Sequence, residues 1–265
     1  MMEHSLSPEE ELIQLREQVA SLQEENDNLK NLIQQAKKTA RNVIAPYLTE
    51  EVLEEMHKNK GQLTIGGERR YVAMLFTDLR DSTAIAEQMQ TQDFIRMLNH
   101  YLEEMIEIIN AWQGNILDFV GDAIVVVFGA PRPNDSASLN AVACAVSMQR
   151  RMNAINEWNR EQGYPNLYMG IGIHAGEAIL GNIGSETRTK YDMIGRNVNL
   201  TSRIEGCSKG GQILISSSVL HDGGDQIHLL PGGDRLVSLK GIQGETLIHE
   251  VIGFGRRMLP GYEKT

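Results

Sequence analysis

Cysteine is scarce in this chain, with only Cys144 and Cys207 present. Their spacing matches no metal-ligand pattern, and so few thiols fit a reducing cytosol better than a disulfide framework. Long apolar runs are missing too. No stretch approaches the ~18 residues of a membrane-spanning helix, and the N-terminus has no apolar signal core. A cytoplasmic domain is therefore expected, in a parent protein that could itself be attached to a membrane. Positive charge is short as well: 25 Lys and Arg stand against 35 Asp and Glu, a net charge of -10. No broad basic face can form to neutralise a phosphate backbone, so nucleic acid is not an expected partner. Nucleotides stay open, because they need only a few local cations or metals. The chain has no P-loop, no internal repeat and no low-complexity tract.

What is present suffices for one sizeable core plus an extension: 265 residues, 41% hydrophobic and 23% charged, the proportions of a soluble globular protein. The extension comes first. Leu12, Leu15, Val19, Leu22, Leu29 and Ile33 follow alternating steps of three and four, with Asn26 in the one vacant slot. Val19, Asn26 and Ile33 then share heptad position a with Leu12, and Leu15, Leu22 and Leu29 occupy d. β-branched a, leucine d and one buried asparagine favour a parallel two-stranded coiled coil in fixed register. Glu11 with Arg16 and Glu25 with Lys30 suit charge pairs across the seam. A lone surface helix on the domain is the alternative. Residues 1–45 are therefore expected to form a dimeric coiled coil, and 46–67 a linker with a short helix from Thr49 through Met56 after Pro46. That linker could pass on a rotation or act as a passive spacer. The pattern begins almost at the first residue, which leads us to expect an upstream sensor absent from this chain.

From about residue 68 to 253 the pattern alternates strand and helix, with a tail over 254–265. An apolar run from Tyr71 ends at Asp78 and leads through Leu79-Arg80-Asp81-Ser82-Thr83 into a short helix. A longer helix runs from about Thr91 to Trp112, with Phe94, Leu98, Tyr101, Leu102, Met105 and Ile109 on its inner face. Gly121-Asp122 reads as the two-residue loop of a hairpin. A second amphipathic helix spans Asn134 to Trp158. Leu167–His174 and Glu177–Asn182 read as a hairpin across Ala175-Gly176, and a helix follows from about Arg196 to Cys207. The order predicts an α+β, ferredoxin-like fold: a mostly antiparallel sheet under helices, preceded by the coiled-coil helix.

Asp78 and Asp122 each stand where a strand gives way to a turn. If their strands are neighbours, the two carboxylates meet at one sheet end, a place for hard divalent cations such as magnesium. Otherwise they are turn aspartates that cap a helix and a hairpin. Two metals held there could activate a hydroxyl and neutralise leaving oxygens in phosphoryl transfer. The backbone from Leu79 to Thr83 opens a helix N-terminus that could hold a triphosphate. Asn199 and Arg203 lie four apart on one helical face, and such an arginine could stabilise a transferring phosphoryl group.

Four segments together resemble the class III nucleotidyl cyclase homology domain. They are Phe76-Thr77-Asp78-Leu79-Arg80-Asp81-Ser82-Thr83, Phe119-Val120-Gly121-Asp122-Ala123, Gly181-Asn182-Ile183-Gly184 and the run from Tyr191 to Arg203. The resemblance implies two Mg2+ or Mn2+ ions per active site, held by Asp78, Asp122 and the Leu79 carbonyl. It implies that Asn199 orients the ribose, Arg203 stabilises the transition state, Lys240 binds triphosphate and Asp192 accepts from the adenine amine. It also implies a head-to-tail homodimer with shared sites, one protomer giving the metals and the other Asn199 and Arg203. The helix before the domain is similar to the signalling coiled coils that join sensors to such domains.

One position departs from the pattern. Adenylate cyclases usually carry lysine four residues before the second metal aspartate, and guanylate cyclases glutamate; here it is Asp118. An acid at 118 suits guanine's donors, whereas Asp192 suits adenine's amine. We expect an adenylate cyclase, with guanylate cyclase and a catalytically silent dimeric signalling module as alternatives. A polymerase-like or diguanylate cyclase reading lacks the Gly-Gly-Asp/Glu-Glu-Phe signature it needs.

Overall fold

The computed structural model describes residues 8–44, 65–185 and 187–262. The chain divides into two compact units, Met1–Leu53 and Glu54–Thr265. In the first, helix α1 (Pro8–Ile44) is 37 residues long, or roughly 55 Å at 1.5 Å per residue. Its apolar stripe has no cover among the described residues of this unit: Leu12, Leu15, Val19, Leu22, Leu29 and Ile33 are all 48–63% exposed. The helix expected from the heptads is there. The short helix expected over Thr49 to Met56, and the side chain of Glu11, lie outside the described residues. Among the described residues no helix is long and apolar enough to cross a membrane.

The second unit is built on strand β1 (Gly66–Leu79). Apolar residues alternate to both of its sides because successive side chains point to opposite faces. Ala73, Leu75 and Leu79 join the main core, while Val72, Met74 and Phe76 join a second cluster on the other face. On one flank β1 pairs antiparallel with β3 (Ala123–Phe128), which pairs in turn with β2 (Asn115–Val120). On the other flank lies β4 (Met169–Ser185), antiparallel to β1 over its whole length, from Gly66 opposite Asn182 to Leu79 opposite Met169. β4 also carries β5 (Arg188–Ile194), antiparallel, and β6 (Ile213–Ser216), parallel. β6 pairs with β9 (Glu245–Phe254), along which β7 (Ile227–Leu229), β8 (Arg235–Ser238) and β10 (Arg257–Met258) are added. Apart from β4 with β6, the pairings are antiparallel, as the expected α+β fold requires.

Helices cover both faces. α2 (Ser82–Gln88) is short, and α3 (Thr91–Ala111) buries Met97, Tyr101, Met105, Ile108 and Ile109. Phe94, Leu98 and Leu102 pack more shallowly against the same core. α4 (Ala137–Glu161) lies beside α3 over that core, and α6 (Ser217–Gly223) abuts it. α5 (Arg196–Glu205) occupies the opposite face, where Val198 packs against the cluster of Val72 and Met74.

The expected hairpin across Ala175-Gly176 is not there. Both residues lie within β4, with Ala175 opposite Ala73 and Gly176 opposite Val72. The glycines of this stretch serve helix packing instead of a turn. A Cβ at Gly172 would stand 2.3 Å from the Glu205 backbone nitrogen, and one at Gly176 would stand 2.6 Å from Asn197 Nδ2. α5 therefore rests directly on the β4 backbone. Because the obstacle at 172 is backbone, it cannot swing aside as a side chain can. Gly172→Ala is predicted to destabilise the domain by about 1–3 kcal/mol in urea denaturation; an unchanged midpoint would show that α5 is seated elsewhere.

Candidate active site

Asp78 follows Phe76 on the α5 face of β1, one residue before the strand ends, while buried Thr77 points to the other side. Asp122 follows Gly121 in the two-residue turn between β2 and β3, where Gly121 adopts φ 68°, a left-handed conformation that favours glycine. The β1–β3 pairing brings this turn to the end of β1. There the Leu79 backbone N–H donates to Asp122 Oδ2 at 3.0 Å. The two acids thus share one sheet end. Burial, followed by the charge of Asp122, raises the Asp78 pKa, and the Arg80 guanidinium only partly opposes that.

Arg80 Nη1 donates to Asp78 Oδ2 at 3.2 Å. Nη2 turns to the end of α5, where it meets the Glu205 carbonyl at 3.1 Å, the Glu205 carboxylate and Ser208 Oγ at 2.9 Å. Burial raises the Glu205 pKa; Arg80 works against this, and the charges of Asp78 and Asp122 add to it. The Arg80 backbone N–H donates to the Tyr168 carbonyl at 2.8 Å. Within the segment expected to offer amides to a triphosphate, that amide is therefore committed to β4's approach. Asp81 stands at the α2 N-cap with φ 59°, and its carbonyl accepts from Ile85 N–H. Ser82 and Thr83 open the helix beyond it.

A second polar group forms around Lys190, which sequence reasoning missed. Lys190 Nζ lies 2.6 Å from Asp118 Oδ2 and 3.5 Å from Asp192 Oδ2. Lys190 and Asp192 are two apart on β5 and so share a face. Asp118 reaches them from β2, where a register shift between Ile116 and Asp118 interrupts the pairing with β3. Burial alone would lower the Lys190 pKa, but the Asp118 hydrogen bond and the charges of both acids outweigh it, and the net shift is upward. Asp192 Oδ1 also accepts from Met193 N–H at 2.8 Å. The two expected base-reading acids are thus gathered on one lysine.

Asn199 and Arg203 are exposed one turn apart on α5, with neither side chain engaged among the described residues. Lys240 is exposed in the turn after β8. No hydrogen bond or ion pair joins any of these three to Asp78 or Asp122 among the described residues. The donor set at the sheet end fits a hard divalent ion: two mutually repelling carboxylates, with one arginine as partial counter-charge. Among the described residues no group of three or more His, Cys, Asp or Glu could hold a metal alone. Further ligands would have to be oxygens of another kind, such as the Leu79 carbonyl and substrate phosphates.

Residues 67–249 match the family described as the adenylate and guanylate cyclase catalytic domain. Among solved structures, the guanylyl cyclase Cya2 is 42% identical with a TM-score of 0.71, covering 74% of this chain and 100% of its own. The adenylyl cyclase CyaB from P. aeruginosa is 32% identical with a TM-score of 0.68, covering 72% and 98%. Adenylate cyclase 1 of Rhizobium meliloti (strain 1021) is 32% identical over 190 residues, which is 71% of this chain and 28% of that protein. The chain thus spans less than a third of that relative's length.

The electrostatics of the sheet end give a stability test in metal-free protein. Asp78 holds its proton more tightly folded than unfolded. Its contribution to stability is therefore full below the ordinary aspartate value near 3.8 and is lost as pH rises through its raised folded value. Asp78→Asn removes that loss. The variant is predicted to melt above the unsubstituted protein at neutral pH, with the gain closing as pH falls toward the ordinary aspartate range. A lower melting temperature at neutral pH would contradict it.

Proposed function

We propose that this chain, which belongs to the adenylate and guanylate cyclase catalytic domain family, converts ATP to 3′,5′-cyclic AMP and pyrophosphate as the output domain of a sensor protein. Domains of this family generally use divalent metal ions, are generally dimeric and bind nucleoside triphosphate. The observation that supports the reading most is the Leu79 N–H bond to Asp122, which sets the second acid beside Asp78 at the sheet end. Asp78, Asp122 and the Leu79 carbonyl would hold two Mg2+ or Mn2+ ions, which when bound favour hydroxyl ionisation and neutralise the leaving phosphate oxygens.

The chain's own groups do the rest. Asn199 orients the ribose so that its 3′-hydroxyl lies in line with the α-phosphorus. Arg203 stabilises the charge that builds on the transferring phosphoryl group. Asp81, Ser82 and Thr83 at the start of α2 border the triphosphate with Lys240, whereas Thr77 is turned into the core. Asn199 and Arg203 come from the partner protomer, so each homodimer has two shared sites, and α1 brings the protomers together through its apolar stripe. That stripe, half-exposed along its length, supports a second copy as its cover.

Lys190 bears on the choice of base. An unpaired Asp118 would face the acceptor N1 of adenine, which is unfavourable. With Lys190 on Asp118 that charge is neutralised, and the ammonium offers N1 a donor while Asp192 accepts from the exocyclic amine. The same pair also supports a second reading. Asp118 can accept from guanine N1–H and its amine, with Lys190 donating to O6.

Two experiments separate these readings. With equimolar ATP and GTP and manganese, cyclic AMP is predicted to predominate. Mostly cyclic GMP would overturn the base assignment, and neither product would overturn the cyclase reading. Asp78→Ala and Arg203→Ala are each predicted to be inactive. Mixed with subunit exchange, they should recover roughly a quarter of unsubstituted activity, since half the dimers are then mixed with one working site each. No recovery despite proven exchange would contradict the shared site.

A further inference from the structure

Arg80 lies between two parts of the molecule that the proposed reaction uses in different places. One arm of its guanidinium holds Asp78 Oδ2 at 3.2 Å. The other holds the last residue of α5, through the Glu205 carbonyl at 3.1 Å and the Glu205 carboxylate, and reaches Ser208 Oγ at 2.9 Å. The Glu205 carbonyl also accepts from Ser208 Oγ at 2.7 Å and Ser208 N–H at 2.8 Å. A fixed cation at a helix C-terminus is favoured by the helix dipole. The sheet makes room for it as well. Asp78 stands opposite Gly170 on β4, and a Cβ at Gly170 would lie 2.1 Å from Arg80 Nη2 and 2.3 Å from Ser208 Oγ. The planar, two-armed fork matters here, because a lysine carries its charge at a single point and cannot span both contacts.

We propose that Arg80 is a positioning residue that fixes α5 against the sheet end, so that it acts on the active site to which α5 contributes Asn199 and Arg203. Arg203 is two residues before the anchored Glu205, within the same helical turn. The proposal rests on the shared-site reading above. On that reading the arginine beside one protomer's metal aspartate supports catalysis at the other site of the dimer.

Heterodimers isolate this effect. A chain carrying Asp122→Ala, which leaves the Arg80–Asp78 contact in place, with Arg80→Lys is mixed with a chain carrying Arg203→Ala. The single working site then takes Asp78, Asp122 and an intact Arg80 from the Arg203→Ala chain. Its Asn199 and Arg203 come from the chain that carries Arg80→Lys. Displacing α5 by a fraction of an ångström is expected to lower kcat by about ten- to a hundredfold relative to the Asp122→Ala and Arg203→Ala control mix, with KM for the nucleotide within about twofold. Replacing Arg80→Lys by Gly170→Ser, which crowds the guanidinium without changing it, is expected to give the same pattern. In metal-free protein, hydrogen exchange of the Gly206 amide, which bonds to the Ser202 carbonyl, is expected to be about tenfold faster in Arg80→Lys. A kcat equal to the control together with unchanged exchange overturns the proposal. A control mix that recovers nothing overturns the shared-site reading, and the proposal falls with it.

Discussion

A single backbone hydrogen bond, from the Leu79 amide to the Asp122 carboxylate at 3.0 Å, fixes how the chain's two strand-end acids stand to one another. It forms because β1 runs between β3 and β4, and because Gly121 lets the β2–β3 turn close in two residues. Burial first, and then the neighbouring charge of Asp122, raise the Asp78 pKa. Such a pair is relieved either by a proton on one carboxyl or by a positive group beside it. Here Arg80 relieves it in part, and a divalent ion would relieve it further.

The helix that carries Asn199 and Arg203 depends on the same strands. α5 buries Thr201 and Ile204, packs Ile204 and Leu200 against Leu214, Leu239 and Ile248, and rests Val198 on the cluster of Val72 and Met74. Its position is fixed further by contact with a strip of β4 that has no side chains at Gly172 and Gly176, and by the Arg80 fork at its end. Close backbone approach adds to this packing, so small shifts of β4 are passed to α5 directly. The end of β1 that carries Asp78 and the helix α5 are in this way parts of one mechanical unit.

Much of this was legible in the sequence. The Gly121-Asp122 turn, the inner face of α3 and the heptads of α1 are local patterns, and each appears where its spacing puts it. The resemblance carried by four motifs is borne out by the family match over residues 67–249. The break placed at Ala175-Gly176 was wrong for a physical reason. Glycine in a strand signals either a turn or a close neighbour, and only the tertiary structure says which. Lys190 escaped notice because its partner Asp118 is 72 residues away, joined to it by sheet pairing that local patterns do not encode. Arg80 was placed with the triphosphate loop from its sequence neighbours, yet its side chain reaches 125 residues on to Glu205.

On the proposed function, Asp78 and Asp122 act together as one cation site at the end of the sheet. Electron paramagnetic resonance of Mn2+ titrated into the protein with pyrophosphate present addresses it without any turnover. Bound Mn2+ should be seen in the unsubstituted protein and in the Arg203→Ala variant, and be lost in both Asp78→Asn and Asp122→Asn. Undiminished Mn2+ binding in either aspartate variant would mean that the two acids do not form one cation site.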